Sequence, residues 1–152
     1  KNVLSETLEF CQEKMISEGI QFTVVGDLTM GIFARPVQIS QIILNLINNA
    51  IDAVRGTPNP KILLEVSYES DRVCIDLTDT GVGVSEHVKV KLFNPFVTTK
   101  EVGKGTGLGL SVSRGLARAH QGDLELLDKE NRTTFRLTLP LRSAPQNKKM
   151  SA

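Results

Sequence analysis

The chain has 152 residues, 40% hydrophobic and 23% charged, with 18 Lys and Arg against 17 Asp and Glu. That is enough chain for one domain with a proper core, and so balanced a charge points to neither nucleic acid nor an anionic membrane surface. No apolar run is long enough to span a bilayer, and Cys11 and Cys74 lack metal-site spacing, so each reads as a small core residue. Beginning at Lys1 without a signal peptide, the chain reads as a piece of a longer, cytoplasmic protein.

Residues 3–18 show a helical pattern, with Val3, Leu4, Leu8, Cys11 and Met15 near one face and Gly19 as its stop. Short strands are expected over 20–26 and 29–34, on either side of Gly26-Asp27. Pro36 suits the first position of a helix that runs to about Val54, and 55–60 ("RGTPNP") is a loop by composition. Ile62, Leu64, Val66 and Tyr68 alternate with polar residues, as do Val73, Ile75 and Leu77, which predicts a hairpin turning at Ser70-Asp71.

From Gly81 to Gly109 the chain changes character. Six glycines (81, 83, 103, 105, 107, 109) among short apolar patches mark a long functional loop. A helix resumes near Leu108 and runs to about His120. "DLELLD" and "TTFRLTLPL" then close the domain as two strands, and the polar tail from Ser143 reads as disordered. This order predicts an α+β two-layer sandwich over residues 1–142, a mixed sheet covered on one face by about three helices.

The helix over 36–54 contains "QIILNLINNAIDAV", an apolar segment with amides set into it. At about 100° per residue, Gln38, Gln41, Asn45, Asn48, Asn49 and Asp52 share an arc about 100° wide, and apolar residues fill the rest. A solvated stripe would use Lys, Glu and Arg, which are better helix formers. An amide stripe therefore suggests one wall of a polar ligand site, where Asn45 and Asn49, spaced i and i+4, can converge on one bound group.

Three further motifs bear on that site. In "CIDLTDTGVGV" (74–84), strand parity puts Asp79 on the same face as Val73, Ile75 and Leu77, and a buried carboxylate needs a partner. Gly81 and Gly83 let a ligand or a tight turn approach the backbone, although "DTG" alone is as readily an ordinary turn. "GKGTGLGL" (103–110) opens directly into a helix, and exposed N–H groups at a helix N-terminus suit a phosphate. Its spacing matches neither the Walker nor the Rossmann pattern. In "FNPFVTTK" (93–100), Phe93 and Phe96 look like an anchor for a lid, with Lys100 placed to meet a phosphate.

Together, "NLINNAIDA", "DTGVGV", "FNPFVTTK" and "GTGLGL" resemble, in this order and spacing, the N box, first glycine box, F box and second glycine box of bacterial sensor histidine kinases. "NPFVTTK" is most similar to the nitrogen-regulator-like subgroup. The resemblance covers about residues 1–142 and implies the Bergerat α/β sandwich of the GHKL superfamily, with a flexible ATP lid over 94–106.

It also implies ATP and Mg²⁺ as ligands. Asn45 and Asn49 would hold the metal and phosphates, and Asp79 would accept a hydrogen bond from the adenine amino group. Gly81, Gly83 and Val84 would let adenine lie close, with Thr133 helping from the inward face of the last strand. Thr98, Thr99, Lys100, Gly105, Thr106, Gly107, Leu108, Gly109 and Leu110 would wrap the triphosphate. Many relatives carry lysine where this chain has Asp52, so phosphate charge would fall to Lys100, Lys104 or Arg114. Arg132 stands where a glycine is common.

Gyrase-like relatives place a water-activating glutamate four residues before the metal-binding asparagine, and this chain has Asn45 there. An amide takes no proton at neutral pH, which favours transfer over hydrolysis. Asn45, Asn49 and Lys100 are therefore the expected catalytic set. Neither His87 nor His120 lies in an H-E/D-x-x-x-P setting. The phosphoacceptor histidine is expected upstream, on a dimerisation domain of a homodimeric protein that serves a response regulator. A Bergerat-fold serine kinase of the anti-sigma type and a nucleotide-binding regulatory module are the alternatives.

Overall fold

The computed structural model describes residues 3–27, 34–98, 105–129 and 132–141, without the side chains of residues 3, 4, 128 and 129. Five strands form one mixed sheet: β1 (Gln21–Val25), β2 (Lys61–Glu69), β3 (Arg72–Asp79), β4 (Asp123–Lys129) and β5 (Arg132–Pro140). Their order is β1-β2-β3-β5-β4, with β1 parallel to β2 and the other pairs antiparallel. The helices α1 (Val3–Ser17), α2 (Pro36–Val54) and α4 (Gly109–Ala119) lie on one side of it, and a single-turn helix, α3 (Glu86–Lys89), precedes α4. This is the expected α+β two-layer architecture. Residues 29–33 of the expected strand, 99–104 of the expected lid and the tail from 143 fall outside the described residues.

Helix α2 begins where proline allows it, because Pro36 brings a preset φ and needs no intrahelical donor. Ile42, Ile43, Leu46, Ile47, Ile51 and Val54 along it are each at most 1% exposed. They pack onto Ile62, Leu64 and Val66 of β2, Val73, Ile75 and Leu77 of β3, and Leu137 and Leu139 of β5, all in one core. In α1, Leu8, Cys11 and Met15 are buried, as their spacing predicts. That helix stops at Gly19, whose left-handed φ of 69° reverses the chain so that Ile20 N–H bonds the Met15 carbonyl at 2.9 Å.

The far face of the sheet is also partly buried, which simple alternation does not predict for β3. Asp76 there is 7% exposed and takes a two-pronged bond from its cross-strand partner Arg136, at 2.7 and 2.8 Å. Thr78 and Thr134, also in register, bond at 2.9 Å. Polar residues can fill this face because they satisfy one another.

Helix α3 was not expected from sequence. A single turn carries too few apolar positions to show a period, and here only Val88 within it and Leu92 just after it are buried.

Candidate functional site

Helices α2 and α4 run antiparallel, side by side, and polar contacts tie them together. The Asn45 side-chain amide donates to Ser113 Oγ at 2.9 Å, and one helical stretch away Gln38 Oε1 meets His120 Nε2 at 2.7 Å. At the start of α4, Gly109 lies so close that a Cβ there would sit 2.3 Å from Asn45 Oδ1. Glycine at this position is a packing requirement. Among the described residues no side chain caps α4, so its first-turn N–H groups are open to a ligand, at the positive end of the helix.

The amide stripe of α2 is thus divided among three partners. Asn45 and Asn49 are half-buried, and with Asp52 they face a cavity of about 1360 Å³. Asn48, at the other edge of the arc, accepts a bond from Lys14 of α1 at 3.0 Å, and Gln41 is exposed. The expectation that the whole stripe lines one site therefore holds for only part of it. Flanking helices on both sides compete for the same arc, α1 taking one margin and α4 the other.

Asp79 stands at the opposite wall, at the end of β3, paired in register with Ile62 and Thr133. It is 3% exposed, and burial pushes its carboxyl up from 3.8 to about 6, against the lowering effect of the Gly81 N–H. That N–H donates to Asp79 Oδ1 at 2.8 Å. The second carboxylate oxygen has no partner among the described residues, so the group presents one open acceptor to the cavity. Gly81 is also constrained: a Cβ would lie 2.6 Å from the Ala53 carbonyl and 2.7 Å from Asp79 Oδ1.

Most sequence-derived candidates come together around this cavity. Asn45, Asn49, Asp52, Asp79 and Thr133 line it from the two walls, and Gly83, Val84 and Thr98 from the loop between them. Gly105, Thr106, Gly107, Gly109 and Leu110 contribute the segment leading into α4. Gly81 and Leu108 are not among the lining residues. Gly81 braces Asp79 from behind, and the Leu108 carbonyl accepts from Ser111 Oγ at 2.9 Å within the first turn of α4. Thr99, Lys100 and Lys104 lie outside the described residues.

Sequence reasoning missed several contributors. Phe135, whose inward parity was legible, forms part of the cavity lining, as do Arg55 and Lys89. The two cations are already engaged: Arg55 bonds Glu18 at 2.8 Å and Asp52 at 3.1 Å, and Lys89 bonds Glu86 at 2.7 Å. Ser113, 2% exposed and bonded to Asn45, gave no sequence signal, since a lone serine within a helix is uninformative.

Two expectations change. Phe93 anchors the loop, with its ring edge-on to Phe135 at 6.5 Å, but Phe96 is 76% exposed and does not. Phe96 has a φ of 66°, and Gly107 packs against its backbone, where a Cβ would come within 2.5 Å. Arg114, a candidate for phosphate charge, instead stacks over Phe93 at 4.6 Å and grips Asp123 at 2.9 and 3.2 Å. Arg114 foremost, with Arg118, holds the Asp123 carboxyl well below the usual carboxylate range. His87 is exposed on α3 and His120 ends α4, so neither faces the site.

Residues 34–143 match the family described as "Histidine kinase-, DNA gyrase B-, and HSP90-like ATPase". The chain is 31% identical to Sporulation kinase E of Bacillus subtilis (strain 168) over 97% of its own length and 20% of that protein. It is 35% identical to the Sensory histidine kinase/phosphatase NtrB of Proteus hauseri, over 70% of this chain and 33% of the relative. The chain thus spans between a fifth and a third of these relatives. Among solved structures it is similar to the nucleotide-free catalytic domain of histidine kinase ThkA, with 30% identity, a TM-score of 0.80 and coverage of 91% of this chain and 92% of that one. It also matches ThkA in complex with response regulator protein TrrA, with 27% identity, a TM-score of 0.76 and coverage of 92% and 40%. No helix among the described residues is long and apolar enough to cross a membrane.

Proposed function

The chain belongs to the histidine kinase-, DNA gyrase B- and HSP90-like ATPase family, and from this premise we infer that it is the ATP-binding catalytic domain of a protein histidine kinase. It delivers the γ-phosphate of Mg·ATP to a histidine on a dimerisation domain outside this chain.

The residues fit both ligands. Asp79 offers an open acceptor in a dry wall, which suits an amino group such as that of adenine, and the uncapped first turn of α4 suits phosphate oxygens. Asn45, Asn49 and Asp52 line the same cavity and carry side-chain oxygens, the donor type that Mg²⁺ takes from proteins alongside phosphates. Bound Mg·ATP supplies the transferable phosphoryl group and the charge neutralisation on which such transfer relies.

The chain's own part is positional. Asp79, fixed by Gly81, orients the base, with Thr133 beside it. Residues 105–110 hold the phosphates, and Asn45 and Asn49 hold the metal side. The single observation that carries the reading is the group at Asn45. Four residues before Asn49 stands an amide committed to Ser113, where hydrolysis would need a carboxylate to take a proton from water. Of the two carboxylates lining the cavity among the described residues, Asp79 serves the base and Asp52 is paired with Arg55. The phosphoryl group therefore waits for an outside nucleophile.

The whole protein is read as a cytoplasmic-side homodimer that passes its phosphate to a response regulator, with no role for nucleic acid. The test is to incubate the chain with radiolabelled ATP, Mg²⁺ and a separately purified histidine-bearing dimerisation domain. The expected product is acid-labile, alkali-stable phosphate on that domain, with little release of phosphate by the chain alone. Rapid stand-alone phosphate release would refute the reading, and acid-stable phosphoserine on an added protein would move it to the serine-kinase class.

A further inference from the structure

Resting on that kinase reading, we propose that Ser113 is the positioning residue for the metal side of the site: it fixes the Asn45 carboxamide so that oxygen, not nitrogen, faces the bound Mg²⁺. A carboxamide has one end that can ligate a cation. Its oxygen carries lone pairs, whereas its NH₂ group is a double donor with nothing to offer a metal. A 180° flip of Asn45 would therefore switch the ligand off without moving the helix.

Two contacts hold the carboxamide in one orientation. Asn45 Nδ2 donates to Ser113 Oγ at 2.9 Å, and Ser113 is 2% exposed, so no solvent competes for that bond. Asn45 Oδ1 occupies the space left by the absent side chain of Gly109, 2.3 Å from where a Cβ would be. There it sits beside the first turn of α4, whose N–H groups no side chain of the described residues caps. The flipped amide would turn its own N–H donors toward that donor-rich helix end and leave its oxygen for the serine. The Ser113 hydroxyl, which can accept or donate, holds the carboxamide in place, and the donor-rich start of α4 decides which end points there; both come from the same helix. Asn49, one turn further along α2, shares the cavity wall.

The inference separates metal-dependent from metal-independent binding. Affinity for a fluorescent ATP analogue is measured with Mg²⁺ and with EDTA in the wild type, Ser113→Ala and Ser113→Thr, with thermal unfolding run on each. In Ser113→Ala the gain in affinity conferred by Mg²⁺ should fall about five-fold, the size expected for one neutral hydrogen bond, with most of the loss confined to the metal arm. Ser113→Thr, which keeps the hydroxyl, should recover it. In the wild type the Asn45 side-chain NH₂ resonances should shift on Ser113→Ala, which a loss of packing elsewhere would not produce. Ser113→Ala that retains the full Mg²⁺ gain, or loses affinity equally in both arms, overturns the proposal. A wild type that gains nothing from Mg²⁺ would sink the kinase reading and this inference with it, so the two failures are distinguishable.

Discussion

Asp79→Asn should stabilise the fold while weakening ATP binding, and the two effects have the same origin. Burial raises the Asp79 carboxyl from 3.8 to about 6, so ionising it in the folded chain is unfavourable relative to the unfolded one. The rise is about two pH units, worth about 1.4 kcal/mol each, so the folded chain forfeits about 3 kcal/mol. A raised carboxyl pKa leaves stability intact below about pH 4, erodes it as pH rises toward 6, and holds the loss constant above that. Asparagine cannot ionise, and its oxygen can still accept the Gly81 N–H now 2.8 Å from Oδ1.

At pH 8 the variant should therefore melt higher, by about 6–12 °C for a chain of this size, and the difference should vanish near pH 4. The second acceptor oxygen becomes an NH₂ donor and confronts the adenine amino group donor to donor. ATP affinity should fall about 10- to 100-fold, the range for losing a charged hydrogen bond. Thermal unfolding between pH 4 and 8, with calorimetric ATP titration at pH 8, reads both. A variant that melts at or below the wild type at pH 8, or that still binds ATP as tightly, refutes the argument.

Three other outcomes follow from the same geometry. Wild-type ATP affinity, measured by calorimetry from pH 5 to 8, should be flat above pH 7 and fall toward ten-fold per pH unit below about 6, because protonated Asp79 no longer offers an acceptor; Asp79→Asn should lose this dependence. Gly109→Ala places a Cβ 2.3 Å from Asn45 Oδ1, so denaturant unfolding should show a loss of about 1–3 kcal/mol, accompanied by weaker Mg·ATP binding. Arg136→Met strips the guanidinium from Asp76 on the far face of the sheet and should cost about 2–3 kcal/mol in the same assay. Its ATP affinity should stay within about two-fold of the wild type, since neither Arg136 nor Asp76 lines the cavity.

The parts of the site that were legible in the sequence are those governed by a local period. Strand parity alone put Asp79 and Thr133 on the inward face, and both are buried there. Helical angles put Asn45, Asn49 and Asp52 on one arc, and all three reach the cavity. The same angles could not separate Asn48 and Gln38 from them, because the arc is shared and its partners are not. Phe93 and Phe96 are chemically identical and three residues apart, yet only Phe93 is pinned, between Phe135 and Arg114.

What the sequence by itself determined is the order of the elements, the two-layer class and the chemical character of each motif, since backbone period, glycine and proline act over a few residues. The tertiary structure alone decided which neighbour each polar group answers to. Arg114 leaves the phosphates for Asp123, and Asn48 turns to Lys14. Asn45 is held by a serine 68 positions away. Hydrogen bonds are short-ranged in space but indifferent to separation along the chain, so only the packing of α4 against α2 could reveal that pair.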